Sequence, residues 1–396
     1  VDKRIIPLGP IPHKSLKNAG LGWLGTGGNE DYIAPAIVQL SERELQPFKE
    51  AAAQLYDLMI RAAQTVASQG RWAEVGIPPH AVNLVKYSLQ HEMGQHLVCR
   101  FDFAGGLDGI PLKMLELNAD TCSLMPETAI VQDLHRELEA RKLPKGQAFN
   151  QLMDGLAKRL RHILQQHPDK APALLLSGLG HDEDWLNTEI ITKAAKKAGM
   201  ADTQEIVMDR VIFSPEEGIF FELHEEEFRR YDFWFKFVPW DLIVFEETEL
   251  FEILEHIIRN KLGVVLNPAF TMLLQSKGLM KIMYELEPYN PYLLKTSLTD
   301  RDFPDRRYVR KPYFGRMGEN IAFFNGSSMP DYETEGDYGH YSPIYQEIAQ
   351  FNMDRKGHRY QPSIFWTGEA SALCFRRQDD LILDDDAEFV GHIVAG

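Results

Sequence analysis

A chain of 396 residues, 44% hydrophobic and 25% charged, has the composition of a folded protein with room for two or three packed units, which excludes a disordered or low-complexity chain. Its formal net charge of -16 opposes a polyanionic partner such as nucleic acid or an anionic membrane surface, so a bound phosphate must meet a local basic pocket. Cys99, Cys122 and Cys374 are too few and too scattered for a disulfide framework or a cysteine-rich zinc site.

The opening VDKRIIPLGP lacks the basic-then-apolar order of a leader, and no apolar run reaches about 18 residues. A cytoplasmic protein without a membrane segment is therefore expected, in which the Asn325-Gly-Ser sequon has no role. Gly22-Trp-Leu-Gly-Thr-Gly-Gly28 lacks the Gly-Lys-Ser/Thr ending of a Walker loop and reads as a glycine-rich turn. Over residues 42–68, Leu45, Phe48, Ala52, Leu55, Leu58, Met59 and Ala62 recur at helical spacing, predicting one long amphipathic helix with further helices to residue 95. His91 and His96 are five apart, where one helical face needs four, so no zinc-protease helix is expected.

The period then changes to two. Residues 97–103 and 112–118 are short strand-like runs joined by AGGLDGIP, a hairpin signal. Helices are predicted at 126–140 and 146–166. From 173 onward strands and helices alternate: strand 173–177, helix 184–197, strand 203–208, a hairpin over 212–223, strand 232–237, helix 247–260 and strand 263–266. That order predicts a small α/β unit with a mainly parallel sheet. Gly178-Leu-Gly180 follows the first of these strands but lacks the third glycine of a dinucleotide fingerprint, with Glu183 in its place. A last section has helix 272–285 and strands 307–311 and 321–324. Asp384, Asp385 and Asp386 read as a solvated acidic turn.

Strand alternation puts Arg100 and Asp102 on one face of the predicted hairpin, with Glu116 and Asn118 on the same face of the second strand. Two carboxylates and an amide oxygen are hard ligands suited to Mg²⁺, and Arg100 offers a planar cation for phosphate or carboxylate. On pattern alone, a solvated face of ordinary ion pairs is the simpler reading. Further on, Lys311 ends a strand that enters a loop containing Gly315 and Gly318. Backbone N–H groups of such a loop can cover phosphates while Lys311 supplies charge, and a simple turn needing positive φ fits the same residues. Lys277 and Lys281, one turn apart, are either a cationic helix start or an exposed helix face.

Taken in order, Arg100-Phe-Asp-Phe103, Leu115-Glu-Leu-Asn-Ala-Asp-Thr121, Ser276-Lys277, Lys311-Pro-Tyr-Phe-Gly-Arg-Met-Gly-Glu-Asn-Ile321 and Cys374-Phe-Arg376 resemble the glutathionylspermidine synthase family, from about Arg100 to near the C-terminus. The resemblance implies an ATP-grasp fold in circularly permuted order, with antiparallel sheets around the nucleotide and a small α/β domain for the acid substrate. The expected sections are 1–170 (helices and metal hairpin), 171–270 (small α/β domain) and 271–396 (lid and remainder of the core). It further implies Mg²⁺ ligation by Asp102, Glu116 and Asn118, and ATP binding by Lys277, Lys311 and the loop of Gly315 and Gly318. Arg100 and Arg376 are implied at the transferred phosphoryl group or acyl phosphate. Thr121, Ser123, Glu183 and Asp184 are implied at the substrates.

The activity so implied is an ATP-dependent ligase that joins a small-molecule acid, such as glutathione or a peptide-like acid, to an amine such as a polyamine through an acyl phosphate. A nucleotide-binding pseudoenzyme of the same fold is the alternative. Bifunctional relatives carry an N-terminal amidase with a catalytic cysteine; no cysteine precedes Cys99, so that hydrolase is expected to be missing.

Overall fold

The fold is described from a computed structural model for residues 1–25, 31–224, 227–384 and 386–396. Residues 26–28 of the glycine-rich turn and Asp385 of the acidic turn lie outside the described residues. The large sheet runs, in spatial order, through Ile5–Pro7, Ile33–Leu40, Glu388–Ala395, Ala370–Gln378, Arg359–Trp366, Cys99–Ala104 and Lys113–Asn118. Only the Ile33–Leu40 and Glu388–Ala395 pair along this path is parallel; the other neighbours are antiparallel. The first and last expected sections thus share one sheet.

The long helix forms at Glu42–Gln69, started by a capping box between Ser41 and Glu44 and stopped by Gly70 at φ 70°. Its stripe from Leu45 through Val66 is buried in the same core as Phe101, Phe103, Ile364 and Leu373 of the large sheet. The hairpin forms as read, with strands Cys99–Ala104 and Lys113–Asn118. The helix expected at 146–166 begins only at Leu152, because Gly146–Gln147 instead pairs with the edge of Glu388–Ala395.

The α/β reading matches four parallel strands in the order Val264–Leu266, Phe233–Lys236, Ala173–Gly178 and Asp202–Val207. A three-stranded antiparallel sheet, Val211–Ser214, Gly218–His224 and Glu227–Tyr231, adjoins it in sequence. A five-stranded antiparallel sheet has the order Thr296–Ser297, Pro343–Gln346, Arg307–Pro312, Ala322–Asn325 and Tyr332–Glu333.

The single helix expected at 272–285 is two, Thr271–Gln275 and Leu279–Leu286, broken at Ser276 in an extended conformation. Packing explains the break: the Lys277 N–H donates to the Tyr313 carbonyl at 3.0 Å, and a Cβ on Gly278 would lie 2.7 Å from the Glu74 carbonyl oxygen. A buried network fastens the hairpin to the parallel sheet. Lys236 Nζ donates to both Asp120 oxygens at 2.7 and 2.8 Å, while the Trp240 N–H and Thr271 hydroxyl also donate to that carboxylate at 2.6 and 3.1 Å. Such a fully hydrogen-bonded pair fixes geometry more than it adds net stability. Among the described residues, no helix is long and apolar enough to cross a membrane.

Candidate functional site

Sheet register assembles a polar row. Asp102 lies opposite Glu116 on one side and Ser363 on the other, and Arg100 lies opposite Asn118. Opposed residues on paired strands share a face, so the four hairpin side chains meet as strand alternation requires. The face is not solvated, because Arg100 and Asp102 are buried. Arg100 forks onto Asp102 with Nε and one Nη at 2.8 and 2.9 Å, and its other Nη donates to the Ser123 carbonyl at 2.8 Å. Ser363 Oγ and Asn118 Nδ2 complete the Asp102 shell at 2.8 and 2.9 Å.

Glu116, about a third exposed at 29%, meets Lys277 Nζ at 3.0 Å. Burial pushes its carboxyl up, but the charges of Lys277 and Lys311 overcome that and hold it below the ordinary value. Lys277 also donates to the Gly315 carbonyl at 2.7 Å, so the helix break holds the glycine loop. Lys311 donates to Gln346 Oε1 at 2.9 Å. Burial pushes its ammonium down to about 8 despite the pull of Glu116. Lys281, by contrast, pairs with Glu74 and Glu285 away from this cluster.

A cavity of about 330 Å³ opens between the five-stranded sheet and the large sheet. Val309, Ile321, Phe323, Ile348, Phe351 and Leu383 give it apolar walls, while Glu116, Lys277 and Lys311 supply charge. Gly315 and Gly318 also line it; Gly318 has φ 73°, and a Cβ there would approach the Leu383 carbonyl oxygen at 2.8 Å. Only glycine suits that backbone. The arrangement is an apolar-walled cavity that also presents two lysines and Glu116, able to hold an apolar group that carries negative charge.

Arg376 lies opposite Gln361, another lining residue, and donates to the Asp384 carbonyl; its Nε is buried without a hydrogen-bond partner among the described residues. Thr121 and Ser123 are half-buried on the segment after the hairpin. The acidic pair divides. Asp184, in the first turn of helix Asp182–Ala198, accepts the Leu179 N–H at 2.8 Å from the turn that follows strand Ala173–Gly178, whereas Glu183 lies close enough to Glu127 and Tyr32 to raise both electrostatically.

The profile of the family described as glutathionylspermidine synthase preATP-grasp matches residues 4–395. The chain belongs to this family. A Haemophilus influenzae protein provisionally named acid–amine ligase is 23% identical over 398 residues, covering 98% of the chain and 97% of that protein. The bifunctional glutathionylspermidine synthetase/amidase of Escherichia coli is 22% identical over 402 residues, covering 96% of the chain but only 62% of that protein. Among solved structures, a glutathione synthetase-like effector from Globodera pallida in the apo form aligns with a TM-score of 0.56 at 13% identity, over 91% of the chain and 89% of that structure. That likeness concerns the fold, a mixed α/β arrangement of several sheets.

Within this family member, sequence reasoning missed Ser363, Gln346, Gln361, Tyr32 and Glu127. Ser363 and Gln361 stand two apart on one strand, so its alternation could have placed both on one face, but the strand itself was unread. Tyr32 and Glu127 have no local signal, since they meet across 95 positions of sequence.

Proposed function

We propose that the chain is an ATP-dependent acid–amine ligase with a circularly permuted ATP-grasp fold, working through an acyl phosphate. The observation that carries this reading is the apolar-walled cavity lined also by Lys277, Lys311 and Glu116, with the Arg100–Asp102 fork on the strand paired to that of Glu116. The base of ATP occupies the cavity. Lys311 and Lys277 meet its phosphates, and the loop of Gly315 and Gly318 covers them.

The donor set fits Mg²⁺. Asp102 and Glu116 face each other across paired strands, and because Asn118 spends its amide N–H on Asp102, its carbonyl oxygen is the group left to offer. Mg²⁺ held there would offset phosphate charge. Without ATP, Arg100 and Lys277 neutralise the two carboxylates. Mg²⁺ bound with ATP would take over neutralisation of the two carboxylates, and Arg100 and Lys277 would then be free to meet phosphate.

The acid substrate's carboxylate attacks the γ-phosphate, forming a C–O–P bond as the bond to ADP breaks. The amine then attacks the acyl carbon, phosphate leaves, and an amide results. Arg100 and Arg376 hold the transferred phosphoryl group and the developing oxyanion, with Thr121, Ser123 and Glu183 toward the substrates. The names of relatives support an acid of the glutathione class and a polyamine as substrates.

An ADP-release assay over a panel of small peptide acids and amines tests the reading. Glutathione with spermidine is expected to stimulate release. Glu116→Gln should abolish it, a loss on the order of several kcal/mol of transition-state stabilisation. ATP binding without ADP release for any acid and amine would leave only a nucleotide-binding protein.

A further inference from the structure

Glu127 is a buried acid that the proposed chemistry leaves without a task. It stands at the start of the turn Glu127–Val131, which leads into helix Gln132–Leu138, and is only 4% exposed. The Tyr32 hydroxyl donates to its Oε1 at 2.9 Å, while Oε2 is buried without a hydrogen-bond partner among the described residues. An uncompensated buried carboxylate oxygen is costly, and Glu127, unlike Glu92, keeps its other oxygen fixed by a tyrosine and has Arg100 close by.

Two cations stand near, yet neither pairs with it. Arg100 is committed to Asp102 and the Ser123 carbonyl, and Arg376 donates to the Asp384 carbonyl. Both are close enough to act electrostatically, Arg100 on Glu127 and Arg376 on Tyr32, while Glu183 adds negative charge to both. Burial, with that negative charge, raises the Glu127 carboxyl to about 7. A cation brought by a ligand would complete its hydrogen bonding.

We infer that Glu127 Oε2 receives the ammonium end of the amine substrate, with Tyr32 fixing the carboxylate's other oxygen. The inference rests on the ligase reading, which puts the acyl phosphate at Arg100 and Arg376, and so within reach of an amine held at Glu127. It also explains the acid's surroundings: Tyr32 orients the group without neutralising it, and Glu183 reinforces attraction for a polycation. The opposing view is a first-turn acid favoured by its helix dipole alone.

Spermidine is the probe. Calorimetry should show it binding the wild type in the presence of ADP, with affinity lowered about tenfold or more in Glu127→Gln and about threefold in Tyr32→Phe, and with ATP affinity unchanged in both. Turnover with ATP and glutathione adds a readout that a structural role would not move. Hydroxylamine, neutral at pH 7, intercepts an acyl phosphate without needing a carboxylate to receive it. Glu127→Gln should therefore keep hydroxamate formation within about twofold while the KM for spermidine rises about tenfold.

Spermidine affinity equal in wild type and Glu127→Gln overturns the inference, as does parallel loss with both nucleophiles or failure of the wild type to bind spermidine. Glu127-dependent spermidine binding with no hydroxamate from any acid of the panel sinks the ligase reading alone.

Discussion

Asp102 and Glu116 each pair with a cation, whereas Glu92 has no ion-pair partner among the described residues. Glu92 is 8% exposed, and its Oε2 is buried without a partner among the described residues. Burial raises its carboxyl to about 7, against a small opposing pull from Ser88. The unfolded chain releases this proton near the ordinary glutamate value of about 4.3. Between there and about pH 7 the folded state binds more protons, so stability falls as pH rises through that window and the cost persists above it. Glu92→Gln removes the penalty, which is on the order of 3 kcal/mol at pH 8. Thermal unfolding should show the variant melting well above the wild type at pH 8 and converging with it near pH 4.5. A gap that does not change with pH would refute this account.

At the level of elements, the break between Thr271–Gln275 and Leu279–Leu286 sets where Lys277 points. Gly278 permits that break by close approach: a Cβ would lie 2.7 Å from the Glu74 carbonyl oxygen and 3.0 Å from the Val75 Cα, both backbone atoms that cannot swing aside. Gly278→Ala is expected to cost about 1–3 kcal/mol of stability through overpacking. It should also weaken ATP binding about tenfold by shifting Lys277, although no charge is removed. Calorimetric titration of ATP into the refolded variant checks this. Unchanged affinity together with lowered stability would mean that the turn supports the core and not the nucleotide.

Across the whole molecule, Arg316 of the glycine loop reaches over to Asp241 of helix Trp240–Glu246, next to the Asp120–Lys236 network. Both partners are largely enclosed, and each keeps one buried atom without a hydrogen-bond partner among the described residues. This pair ties the loop over the cavity to the α/β part of the chain. Removing one partner leaves a buried charge, a loss of about 3–5 kcal/mol. Arg316→Ala should therefore lower the melting temperature and speed amide exchange across residues 313–321 more than in the parallel strands. Equal acceleration everywhere would mean global destabilisation without release of the loop.

The sequence by itself determined what local periodicity encodes. Helix Glu42–Gln69, the hairpin that gathers Arg100, Asp102, Glu116 and Asn118, and the alternation behind the parallel sheet all follow from spacing of apolar side chains over one element. The C-terminal strands were not legible in that way. Arg359–Trp366 and Glu388–Ala395 are buried along nearly their whole length, so no polar–apolar alternation marks them, although they hold Ser363 against Asp102 and close the large sheet. The break at Ser276 depends on Tyr313 and Glu74, far away in the chain, and propensity along 272–285 points to an unbroken helix. Tertiary structure alone decided that Tyr32 would meet Glu127, since an unpaired oxygen is created by everything packed around it and leaves no trace in the residues beside it.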